Sequence, residues 1–121
     1  MDYNDLRIYQ LAKKLQNELY QDIIKIQYSW KIAEVDQVKR SSSSSSSNIV
    51  EGFGRKFYPK DFFRFLNISL ASSDETQNHI ITLNSKGYLD KIKSDYFVKN
   101  YKTLSIQTLN FMNFLRKKHK F

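Results

Sequence analysis

Four stretches of the chain repeat apolar side chains at steps of three and four. Over residues 5–28, Ile8, Ala12, Leu15, Leu19, Ile23 and Ile26 recur at that spacing, while Lys13, Lys14, Asn17, Gln21 and Lys25 fall between them. That is the pattern of an amphipathic helix, and Asn4 or Asp5 can cap its start. Near Tyr28-Ser29-Trp30 the pattern resets, which reads as a short connection. The second stretch, 31–54, puts Val35, Val38, Ser42, Ser45 and Ile49 on one stripe. The third, 59–86, opens on Pro59, suited to a first helical turn, with Asp61 adding negative charge near the N-terminus. Its stripe holds Phe62, Phe65, Leu66, Ser69, Ser72 or Ser73, Thr76, Ile80 and Leu83. Gly87 just beyond it reads as a left-handed helix stop, with Tyr88 and Leu89 packing back. The fourth, 94–118, aligns Phe97, Tyr101, Leu104, Thr108, Phe111 and Leu115. One proline and three glycines leave these stretches nearly free of breakers. The pattern predicts an all-α protein: one domain over residues 1–121, folded as an antiparallel up-down-up-down four-helix bundle.

The second stretch contains "RSSSSSSSNIVEGFGR", with seven serines at 41–47 and no charge between Arg40 and Glu51. A serine run is by composition a flexible linker. A linker here would cut off an N-terminal piece of about forty residues, which rarely folds without a staple. As a helix the tract carries a penalty of roughly 3 kcal/mol, at about 0.5 kcal/mol per serine against alanine. Small side chains, however, let two helices approach closely, and a helical serine can return its hydroxyl to a carbonyl one turn back. Composition leaves the two readings level.

Charge widens the list of partners. Twenty Lys and Arg oppose twelve Asp and Glu, for a formal charge of +8, and the last six residues, "RKKHKF", hold four of the positives. Nucleic acid or another polyanion is a candidate partner; solvated lysines are the plain alternative. The chemistry of catalysis is missing. There is no cysteine, and His79 and His119 cannot build a zinc site by themselves. Asp74 and Glu75 are adjacent and so point apart on a helix; Glu75 and His79 share a face but lack a third ligand. The serines have no plausible base beside them. Gly52-Phe53-Gly54 is neither a dinucleotide fingerprint nor a P-loop. No catalytic residue, metal or cofactor is expected, and the protein is not expected to be an enzyme. The N-terminus does not read as a secretory signal, and no uncharged apolar run approaches the ~20 residues of a membrane span. The expectation is a cytoplasmic protein without a membrane partner.

Asn48-Ile49-Val50-Glu51-Gly52-Phe53-Gly54-Arg55, preceded by arginine and serines, resembles the "S-x-x-x-N-I-x-E-G-x-G-R" core of the 23S rRNA intervening-sequence proteins. Phe65-Leu66-Asn67-Ile68-Ser69-Leu70-Ala71-Ser72-Ser73-Asp74-Glu75 looks like that family's "F-L-x-I-A-x-G-S-x-x-E", and Gly87-Tyr88-Leu89 like its "G-Y-L". Tyr9-Gln10-Leu11-Ala12, Gln37 and Arg40 also fall where the family places similar residues. The chain departs from it at 43–46, where serine replaces apolar residues and often a proline, and at Ser69 and Ala71, where the family has alanine and glycine. The resemblance implies a four-helix bundle, similar also to the accessory protein of diversity-generating retroelements, and it tips the serine tract towards helix. It further implies a bacterial, RNA-associated protein that assembles into a homopentameric ring.

Two readings of the motif residues Asn48, Glu51, Gly52, Gly54, Arg55 and Glu75 follow. Either they form a polar cluster that fixes helix register, with Arg40 as a further partner, or Asn48, Glu51 and Arg55 form a recognition surface. Gly52 and Gly54 should mark a bend, a helix end or the close approach of another backbone. Candidate nucleic-acid contacts are Arg40, Arg55, Lys56, Lys60, Arg64, Arg116, Lys117 and Lys118. A bundle offers no sheet of stacking aromatics, so structured RNA or duplex is the expected ligand. The competing function is a protein-interaction or structural module whose ring contacts another protein through an exposed apolar patch and binds no nucleic acid.

Overall fold

The computed structural model describes residues 1–121 and contains four long helices: α1 (Arg7–Ile23), α2 (Ala33–Phe53), α3 (Pro59–Ser85) and α4 (Lys91–His119). The first is shorter than its apolar period suggests. Asp2, rather than Asn4 or Asp5, is the capping residue, and it caps a separate 3-10 turn at Tyr3–Asp5. Its carboxylate accepts from the Asn4 N–H at 2.7 Å, and its own N–H donates to Asp5 at 2.9 Å. Leu6 is then extended, so α1 starts at Arg7 without a side-chain cap. At the other end the chain leaves α1 after Ile23 and turns through Tyr28, which takes a left-handed conformation at φ 58°. Ile26 still packs against the core from that turn, which is why the period runs past the helix end. Helix α4 begins three residues earlier than predicted, because the Asp90 carboxylate accepts from the Lys93 N–H at 2.8 Å and caps it. Its first turn is exposed, so no apolar period marks it.

Gly87 is the left-handed stop, at φ +81°. Its N–H donates to Asn84 at 2.9 Å, and the Tyr88 N–H to Leu83 at 2.9 Å, closing the end of α3. Leu89 packs back into the core, whereas Tyr88 stays exposed. Elsewhere the buried stripes follow the sequence with two changes. Phe65 and Phe111 are only half-buried, and Met112 takes the core position next to Phe111.

Side-chain pairs fix the direction of each helix against its neighbour. Ser46 meets Gln16 between α1 and α2. Thr76 meets Ser41, and Ser69 meets Ser45, between α2 and α3. Gln77 meets Ser105, and Phe62 meets Phe111, between α3 and α4. Glu18 meets Tyr96, and Asp22 meets Lys93, between α1 and α4. Within each of the last three pairings one number rises as the other falls, so these neighbours run antiparallel. Lys39 of α2 also lies 5.6 Å from the Tyr20 ring of α1, so with Ser46–Gln16 this pair runs antiparallel too and completes the ring, giving the up-down-up-down order expected of short connections. The core they enclose includes Leu15, Leu19, Val38, Ile49, Leu66, Ile80, Leu83, Phe97, Tyr101 and Leu104.

The serine tract is helical throughout. Ser41, Ser42, Ser45 and Ser46 are buried, and they face Ser69, Ser72, Ser73 and Thr76 of α3 or Gln16 of α1. Ser45 and Ser73 share a hydrogen bond of 2.7 Å, and Ser44 and Ser72 one of 2.8 Å. Ser69 donates to the Ser45 carbonyl at 2.6 Å, and Thr76 to the Ser41 hydroxyl at 2.7 Å. Ser42 and Ser46 return bonds to carbonyls one turn back. This interface replaces apolar knobs with hydroxyl pairs, and every buried hydroxyl in it has a partner. Further along, at Gly52, a Cβ would sit 2.9 Å from the Phe62 ring and 3.1 Å from the Phe65 Cβ. A glycine is what lets α2 and α3 come this close.

Candidate nucleic-acid interface

The turn between α2 and α3 is built from backbone hydrogen bonds. The N–H groups of Gly54, Arg55, Lys56 and Tyr58 donate to the carbonyls of Val50, Gly52, Phe53 and Arg55 at 2.8–3.1 Å. Gly54 is right-handed, at φ −61°, so it marks the helix end and meets no neighbouring helix. Pro59 then starts α3, and Lys60 and Arg64 project from its first turns. Since α4 runs antiparallel to α3, its last turn arrives at the same end of the bundle, carrying Arg116, Lys117 and Lys118.

Aromatic rings seat several of these cations. The Arg55 and Arg64 guanidiniums lie 4.5 and 4.4 Å from the Phe65 ring centre, and Arg116 lies 4.7 Å from that of Phe63. Lys56 sits 4.3 Å from the Phe53 ring. The terminal Phe121 meets Phe63 edge-on at 5.4 Å and donates its N–H to the Arg116 carbonyl. Held against ring faces, these long side chains lose less freedom when they meet a ligand. An open cleft of about 620 Å³ separates the turn from the α4 terminus, lined by Tyr58, Pro59, Lys60, Asp61, His119, Lys120 and Phe121.

Seven of the eight candidate contacts therefore meet at one end of the bundle: Arg55, Lys56, Lys60, Arg64, Arg116, Lys117 and Lys118. Arg40 does not. It lies fifteen residues up α2 from Arg55, about 22 Å along the axis, and pairs with Asp36 at 2.9 Å. The motif polar residues are not one cluster either. Glu51 binds Arg55 at 2.6 Å, Glu75 contacts His79 at 3.2 Å, and Asn48 donates to the Ser44 carbonyl at 2.9 Å. Each bond is local, one helical turn long, because the outer faces of α2 and α3 keep these groups apart. The sequence reading passed over the aromatic members, Phe53, Phe57, Tyr58, Phe63, Phe65 and Phe121, and over Lys120. For the first five of these rings the signal is the alternation of rings and cations in "FGRKFYPKDFFRF". No three His, Asp or Glu side chains gather as metal ligands, and no helix is long and apolar enough to cross a membrane.

A family model described as 23S rRNA-intervening sequence protein matches residues 4–110. A crystal structure described as a protein with unknown function from the S23 ribosomal protein family of Bacteroides thetaiotaomicron has the same fold, with a TM-score of 0.76. The two are 18% identical, and the match covers 87% of this chain and 97% of that one. The comparison with curated proteins finds no match.

Proposed function

We propose that this chain, which belongs to the 23S rRNA-intervening sequence protein family, is a non-catalytic cytoplasmic protein that binds RNA through its phosphates. The observation that carries this reading is the convergence of seven cationic side chains from the α2–α3 turn, α3 and α4 at one end of the bundle. Only Arg55 among them has a carboxylate within ion-pair distance. The other six are free to meet phosphate oxygens. Phosphate contacts release counterions, so affinity should fall steeply with salt and depend little on base sequence.

The test is a titration of a stem-loop RNA at two salt concentrations. It is repeated with Lys56, Lys60 and Arg64 changed to glutamine, and separately with Arg116, Lys117 and Lys118 changed. Both sets should weaken binding and flatten the salt slope. No binding at low salt, or unchanged affinity in both sets, would overturn the reading.

A second reading has its own observation. Ile81, Ile106 and Leu109, on α3 and α4, are each about half exposed, and Ile92 is 84% exposed. Large apolar side chains left in water mark contact surfaces where they lie together in one patch. They support a homo-oligomeric module, and an oligomer would multiply the basic end by its number of subunits.

A further inference from the structure

Two aromatic side chains at the basic end make no contribution to the core. Phe57 is 83% exposed and Tyr58 69% exposed, at adjacent positions in the α2–α3 turn. Lys56 lies between Phe53 and Phe57, 4.3 and 5.6 Å from their ring centres, and no other ring stacks on Phe57 or Tyr58. The turn that carries them is braced by its own backbone hydrogen bonds, including Tyr58 N–H to the Arg55 carbonyl at 2.8 Å. Tyr58 also forms one wall of the cleft, with Lys60, His119 and Lys120 around the same opening. Rigid rings, freely exposed and surrounded by cations, complement a ligand that is planar and apolar on its faces and anionic along its edge. An unpaired nucleotide has that character; the bases of a continuous duplex are stacked on one another and present only their edges.

Resting on the RNA reading, we propose that Phe57 and Tyr58 form a stacking platform for unpaired nucleobases, with Lys56, Lys60 and Lys120 holding the flanking phosphates. The preferred ligand is then an RNA with a loop, bulge or junction, and the helical stem alone is a weaker one. An apolar protein segment would satisfy the rings but leave the surrounding cations without partners.

The probe is a stem-loop RNA with 2-aminopurine in the loop, compared with a blunt duplex of the same stem. Wild type should bind the stem-loop at least tenfold more tightly and quench the loop fluorophore. Stacking one base on one aromatic ring is worth about that factor. In the Phe57→Ala, Tyr58→Ala double variant the preference should fall to near parity and the quenching should disappear. Both side chains are exposed, so helix content by circular dichroism should not change. Equal binding of the two RNAs by wild type, or undiminished quenching in the variant, overturns the platform and leaves the phosphate reading standing. If neither RNA binds, both proposals fall.

Discussion

The hydroxyl pair Ser45–Ser73 is fully buried, and each partner exists chiefly to satisfy the other. Removing one member strands a hydroxyl in the core, which costs about 1–3 kcal/mol, whereas removing both leaves no orphan. Chemical denaturation should therefore show Ser45→Ala and Ser73→Ala each destabilising, with the double variant close to wild type. Simple additivity would refute the pairing. Gly52 obeys a different rule. A methyl group there collides with Phe62, which costs about 1–3 kcal/mol as overpacking and outweighs the ~1 kcal/mol that alanine gains in a helix. Gly52→Ala should lower the melting temperature, and Gly54→Ala, which meets no other helix, should not. Tyr101 is the counter-example to the serines. It is fully buried, its hydroxyl has no partner, and burial pushes its phenol far above the ordinary range. Tyr101→Phe should be neutral or raise the melting temperature, since it removes an unsatisfied polar group without changing shape.

Among the elements, α2 is where sequence and structure inform each other most. The periodicity of Val35, Val38, Ser42, Ser45 and Ile49 placed Ser42 and Ser45 on the buried stripe, and both are buried. Composition could not decide helix against linker, because the deciding contacts belong to α3: Ser69, Ser72, Ser73 and Thr76 lie 24 to 35 residues away. A helical tract makes a sharp prediction. Ser44→Pro removes a ladder bond in mid-helix and should cost roughly 3 kcal/mol or more, enough to unfold much of the domain by circular dichroism. Unchanged stability would point to a linker. Element ends were less legible than element existence. The end of α1 was overrun because Ile26 continues the apolar period from a turn, and the start of α4 was missed because its cap, Asp90, precedes an exposed turn. The candidate site was half legible. Charge alone picked out the cations of α3 and α4, but antiparallel packing is what joins them, and it is also what leaves Arg40 behind.

For the whole molecule, the distribution of apolar surface bears on assembly. The chain carries nine Phe and eight Tyr, more than a core of this size accepts. Phe57, Tyr58, Phe114, Tyr28 and Trp30 remain exposed, as do the aliphatic residues of α3 and α4. The buried serines are already covered by α3 and α1 of the same chain, which leaves little of them for a contact between subunits. An interface would use other faces, and the half-exposed Ile81, Ile106 and Leu109 are the apolar side chains available to it. Closed symmetry is the usual outcome when one patch recurs on identical subunits. For the five-membered ring that the family resemblance implies, light scattering should give a mass near five times the 14.4 kDa chain, and Ile106→Glu with Leu109→Glu should reduce it without loss of helix. A single-chain mass for wild type at micromolar concentration would exclude the ring.

The serine tract also has a counting property. Seven identical side chains give α2 no internal landmark, so its phase is set only where it leaves the tract, at Val38 on one side and at Ile49 and Gly52 on the other. Each residue turns a helix by about 100°. Losing a single serine would rotate Ile49 out of the core and swing Gly52 away from Phe62, although the remaining tract would look unchanged. Losing or gaining seven would restore the phase to within about 20° but shift the far end by about 10 Å, out of step with α3. Identity within the tract is negotiable wherever the hydroxyl pairs permit; its length is not.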